Sequence, residues 1–235
     1  MNNSVKDVTP ATNAGLASFF QKTYLYMTIA LSVTAFTAYA LANFFPAQMA
    51  RLLSGVGIIG SIAIFAIQML IIMTIQRWAF ENSARAFGLL IAFSLLNGIT
   101  FSMIVMSFST QSLVTTFVST AALFGGMAAY GMITKRDLSG MRPILFGALI
   151  GFIVAILVNL FLQSGLLQLV MSFIGVILFS AFTAYDNNNL KNMYMQMEGR
   201  VNDMTGLAIS GALHLYLDFV NLFTSLLRFT GSSRN

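Results

Sequence analysis

Seven long apolar stretches run along this chain, separated by short polar breaks. They fall near residues 23–45, 53–75, 86–106, 112–133, 143–163, 166–185 and 206–229. A hydrocarbon core about 30 Å thick is crossed by roughly 20 helical residues at about 1.5 Å each, and every stretch reaches that length. The pattern predicts an all-α integral membrane protein with seven transmembrane helices. Breaks as short as Gln163-Ser164-Gly165 make consecutive helices run antiparallel. The expected division is a disordered polar tail over 1–21, a seven-helix domain over 22–231 and a short tail over 232–235. The first segment lacks the basic start, apolar run and small-residue cleavage site of a signal peptide. The first helix is therefore expected to act as its own insertion signal.

Composition agrees with this pattern. The chain is 57% hydrophobic and only 8% charged, whereas soluble domains are about 45–50% apolar and about 25% charged. It has no cysteine, which excludes disulfides, thiolate metal sites and cysteine nucleophiles. The net charge of +5 sits in short loops rather than in a patch. It reads as a topology signal, with membrane lipid and not nucleic acid as the partner.

With the N-terminus in the cytoplasm, the inside carries Lys6, Lys22, Arg77, Arg85, Lys135, Arg136, Arg142, Lys191 and Arg200. The outside carries only Arg51, Arg228 and Arg234. The positive-inside rule selects that orientation in the cell membrane, and seven crossings put the C-terminus outside. Small residues at Gly147-xxx-Gly151 and at Gly125-Gly126 with Gly131 allow close helix approach. They are expected to pack helices within one chain ahead of forming a dimer face, so a monomer is favoured.

Candidate chemistry is sparse and concentrated. Two acidic residues lie in or at the edge of a span, Asp186 and Asp218. A carboxylate inside a bilayer is costly, and such residues mark a pathway or a sensor. Asp218 is midway along the last stretch, whereas Asp186 is expected where the sixth ends. In the last stretch Ser210, His214, Asp218, Asn221, Ser225 and Arg228 recur every three or four residues. On a helix they form one polar stripe about 27 Å long, nearly the hydrocarbon thickness. The stripe points to a helix inside the bundle that lines a polar route.

His214, the only histidine, lies one turn from Asp218, a spacing that suits a proton sensor. One histidine and one aspartate do not make a zinc site. The chain also lacks a serine-nucleophile motif, a phosphate-binding glycine loop and a dinucleotide fingerprint. The context Ala184-Tyr185-Asp186 is not the Gly-x-Gly-Asp type of membrane aspartyl proteases, so an enzyme is not expected.

The run Leu215-Tyr216-Leu217-Asp218-Phe219-Val220-Asn221-Leu222-Phe223, with Leu226-Leu227-Arg228-Phe229 after it, resembles the transmembrane Bax inhibitor motif family. Ala184-Tyr185-Asp186 with Leu190-Lys191, and Thr134 to Gly140 after the fourth span, support the resemblance. The resemblance implies seven helices with the last one central and six wrapped around it. It implies a pH-sensitive calcium leak, gated by a carboxyl dyad at Asp186 and Asp218. It also implies an arginine latch after the second helix, for which Arg77 is the positional match. Some bacterial relatives bind and restrain a membrane-bound AAA protease, which gives the second reading: a regulatory membrane protein.

The leading expectation is a passive, proton-gated cation pathway with calcium as the transported ion and no resident cofactor. Calcium takes oxygen ligands, and Asp186, Asp218 and Asn221 can offer them transiently.

Overall fold

The computed structural model describes residues 10–200 and 203–232. Lys6, Arg234 and the first nine residues of the expected N-terminal tail lie outside them. Seven helices follow one another: α1 (Pro10–Phe44), α2 (Pro46–Glu81), α3 (Ser83–Ser107), α4 (Thr110–Ile133), α5 (Arg142–Leu162), α6 (Gly165–Met197) and α7 (Thr205–Thr230). All seven are long and apolar enough to cross a membrane.

Several helices outrun their apolar stretches. α1 starts at Pro10, so the described part of the expected tail is helical, and it buries Phe19 and Phe20. α6 continues to Met197, a full 33 residues, so Asp186 is interior to the helix rather than at its end. α2 is bent at Gly57, whose φ of 58° is open to glycine and strained for other residues.

The connections are short and their chemistry is local. Asn82 alone separates α2 from α3. Its N–H donates to Trp78 O at 2.7 Å, ending one helix, and its Oδ1 accepts from Arg85 N at 3.0 Å, starting the next. Ser109 and Ser164 cap α4 and α6 in the same way. Two loop carboxylates do similar work. Asp137 and Asp203 accept from the N–H and hydroxyl groups of Ser139 and Thr205, and these bonds hold both carboxyls below the usual range.

The helix whose spanning window is the least apolar of the seven, α7, is the most buried. In α7, 78% of the spanning window is inside the bundle, against 6% in α2 and in α5. Large side chains such as Phe36, Ile59, Ile144 and Phe161 are instead turned outward, as a lipid-facing surface requires. α7 packs against α1, α2, α3, α4 and α6, while α5 packs mainly on α6. α7 also runs from one end of the bundle to the other. Its first turn abuts Ala79 near the end of α2, and beyond its last turn Ser232 bonds Ser109 and Ser112 between α3 and α4.

The glycines divide into two groups. A β-carbon at Gly131 would collide with the Ala184 carbonyl, so α4 and α6 touch backbone to backbone there. Gly147, Gly151, Gly125 and Gly126 face open space. The expectation that these four pack helices within the chain does not hold.

Candidate functional site

Successive residues of a helix point about 100° apart. In α6 this turns Asp186, Asn187 and Asn188 toward three different neighbours. Asn187 is fully buried and accepts a hydrogen bond from the Tyr24 hydroxyl of α1 at 2.7 Å. Asn188 serves the α4 side. It accepts from Leu138 N at 3.1 Å and donates to the carbonyls of Gly131 and Arg136. Lys191, one turn later, donates to Met132 O at 2.8 Å, a cation on the exposed carbonyls of the α4 terminus. Asp186 is left to face α7 and is within electrostatic reach of both Asp218 and His214.

Asp218 is buried at mid-depth in α7, and its Oδ2 has no hydrogen-bond partner among the described residues. Buried polar atoms are nearly always paired, so this one is an exception that calls for a cause. Around it the helix is fixed by apolar and aromatic contacts. Phe219 packs edge-on against Phe117 and Phe124 of α4. Tyr216 sets its hydroxyl 2.8 Å from Thr34 Oγ1, which itself donates to Ser94 O at 3.0 Å, so α1, α3 and α7 share one polar node.

The other stripe residues divide by depth. Ser210 and Ser225 are buried, His214 and Asn221 are half-buried, and Arg228 is exposed. The amide nitrogen of Asn221 is used on Leu217 O at 2.8 Å, which leaves its carbonyl oxygen as the remaining polar atom. Ser225 sits against Gly175, where the missing side chain lets α6 approach it.

Arg77 does not join the site. Its side chain is 76% exposed and pairs with Glu81 at 3.0 Å, one turn along the same helix. The inward position belongs to its neighbour Gln76, whose amide takes the Ser210 hydroxyl on its oxygen and places its nitrogen 2.7 Å from His214 Nε2. Arg77 is the positional match that the family resemblance implies for the latch, and its side chain points away from the dyad. Nothing in the sequence separates Gln76 from Arg77: the burial of Ile75 and the outward pairing of Arg77 are facts of the structure.

Asn187, Asn188 and Tyr24 belong to the site as well, and the polar stripe and the acidic residues do not single them out. The first two sit beside Asp186 in an unbroken polar run, and Tyr24 lies within the first apolar stretch. Two clefts open near the ends of helices. One, of about 540 Å³, lies between residues 134–139 and the last turns of α6 and is lined by Lys135, Arg136, Lys191 and the Asp137 carboxylate among amides. The other lies between the α2–α3 connection and the start of α7. Neither is lined by Asp186, His214 or Asp218.

Comparison with known proteins agrees with the resemblance. The family described as "Inhibitor of apoptosis-promoting Bax1" matches residues 16–235. The inner membrane protein YbhL of Escherichia coli K12 is 41% identical over 223 residues, covering 94% of each chain. A membrane protein of Streptococcus pyogenes serotype M1 is 37% identical over 231 residues, covering 98% of this chain and 99% of that one.

Proposed function

We propose that this chain, which belongs to the Bax inhibitor motif family of membrane proteins, is a pH-sensitive cation leak whose gate is the Asp186–Asp218 pair. The observation that carries the reading is the buried Asp218 carboxyl with an unpartnered oxygen, within electrostatic reach of a second carboxyl from another helix. A lone structural carboxyl in a bilayer would be expected to have its hydrogen bonds filled. Two carboxyls that share a site change charge as a unit, which ties their charge to pH. Their oxygens, with the Asn221 carbonyl, are hard donors suited to calcium in transit.

The test is calcium flux into proteoliposomes at several pH values. The parent is expected to leak in a pH-dependent way, and Asp218→Asn, which keeps size and removes titration, to lose that dependence. Asp186→Asn and the double variant should be non-additive, because residues that act as a pair couple. A pH profile unaltered by Asp218→Asn would assign the residue a structural role.

A second reading, a regulator that binds a membrane-bound protease or another membrane partner, draws on the basic cleft at Lys135, Arg136 and Lys191. Unchanged partner capture after Lys135→Glu with Arg136→Glu would count against it.

A further inference from the structure

We propose that Gln76 is a positioning residue that fixes the only histidine in its Nδ1–H tautomer on the helix that carries Asp218. The functional half rests on the leak reading above, and the structural half stands without it.

The argument begins with what an amide can do. A glutamine side chain accepts at its oxygen and donates at its nitrogen. Gln76 Oε1 accepts the Ser210 hydroxyl in this arrangement. The flipped amide, with Ser210 accepting instead, would put the proton on ring Nε2, and the experiment below separates the two. The amide nitrogen then faces His214 Nε2 at 2.7 Å. That nitrogen can only donate, so ring Nε2 must present its lone pair. A neutral imidazole has one N–H, which is then on Nδ1.

The sequence makes this bracket possible. Ser210 and His214 are one turn apart on the same face of α7, so one planar amide can span both. Gln76 is one position after Ile75, which is fully buried, and one before Arg77, which points outward. It is therefore the α2 residue that turns a polar end toward the stripe. The close approach that lets it reach is set at Gly206, where a β-carbon would collide with the Ala79 carbonyl.

The consequence concerns the neighbouring carboxyls. With Nε2 engaged by Gln76, the Nδ1–H is the only donor the neutral ring can offer to Asp186, which lies within its electrostatic reach. A bond from that N–H to Asp186 would link α2 to the carboxyl pair through an amide and an imidazole, with no arginine involved.

The chain has a single histidine, so selective 15N labelling of histidine reports one ring. The protein is studied whole, in nanodiscs at neutral pH, with glutamine side chains labelled as well. The parent is expected to show a protonated Nδ1, an unprotonated Nε2 and a 15N–15N coupling across the Gln76–His214 hydrogen bond. Gln76→Met, which removes the donor, should abolish the coupling and shift the Nε2 resonance. Ser210→Ala leaves Gln76 in place but frees its amide to turn, so a second ring tautomer should appear; this variant carries the test if Gln76→Met does not fold.

A proton on Nε2 in the parent would overturn the proposal. So would an Nε2 resonance that is the same in the parent and Gln76→Met. These readouts need no ion flux. A parent without flux at any pH would remove the leak reading and leave the tautomer assignment intact. Where the parent does conduct, an unchanged pH profile in Gln76→Met would break the link from this bracket to the gate.

Discussion

Asn188 illustrates how one side chain can hold a membrane fold together. Its amide joins the α4 terminus, the loop after it and α6 through bonds to Gly131 O, Arg136 O and Leu138 N. Polar contacts between membrane helices are individually modest, about 0.6 kcal/mol on average, because the unfolded chain in the bilayer also finds partners. Three together, with buried groups left unpaired on removal, come to about 2 kcal/mol. Asn188→Ala is accordingly expected to lower the thermal midpoint in detergent. Asn188→Asp keeps the acceptor for Leu138 N–H but sets a buried carboxylate oxygen against the Gly131 and Arg136 carbonyls, so it should fall at or below Asn188→Ala. Equal midpoints for all three would mean that the loop is held by other contacts. Asp186, two positions earlier, has the opposite character: it lies within electrostatic reach of titratable groups on α7. Residues two positions apart on one helix thus separate a structural role from a candidate functional one.

Helices were legible in the sequence where they are apolar and illegible where they are not. The seven stretches locate the seven helices, because burial in lipid needs apolar length. The apolar stretch of α6 stops near residue 185, yet the helix runs on to Met197. Asn187, Asn188 and Lys191 carry it further because each finds a partner on α1 or α4, and partners are a tertiary fact. The stripe on α7 was readable from spacing alone. Which α2 residue faces it was not, since Gln76 and Arg77 differ by one position and about 100° of rotation.

The glycines give a test at the same scale. Gly131→Ala puts a methyl group into the Ala184 backbone and is expected to cost about 1–3 kcal/mol as overpacking. Gly151→Ala meets nothing, and removal of a helical glycine should leave stability equal or higher by up to about 1 kcal/mol. Thermal denaturation of the two variants side by side decides it. A larger loss at Gly151 would place that face in an interface between chains.

At the scale of the whole molecule the arrangement is inverted relative to a soluble protein. Apolar side chains cover the outside, and the helix with the polar stripe is enclosed. One end of the bundle gathers the starts of α3, α5 and α7 with the ends of α2, α4 and α6, and with them Arg85, Lys135, Arg136, Arg142 and Lys191. The other end, between α1 and α2 and between α3 and α4, carries Arg51 and Arg228. Juxtamembrane lysine and arginine resist translocation, so the first end is expected in the cytoplasm. Because α7 runs the full length, Gly231 should then be outside, on the same side as the α1–α2 connection.

The chain has no cysteine, which allows single cysteines to be introduced against a clean background. Gly140→Cys and Gln48→Cys place exposed thiols at opposite ends, and Ser232→Cys, at an exposed position just past α7, reports the end of that helix. In intact cells an impermeant maleimide should label positions 48 and 232 and spare position 140 until the membrane is opened. Labelling of 140 alone would reverse the orientation while keeping the fold. Labelling of 232 together with 140 would contradict the end-to-end crossing of α7. In that case Asp218 would no longer sit at mid-depth between two aqueous faces, and a gated path along the stripe would lose its geometric basis.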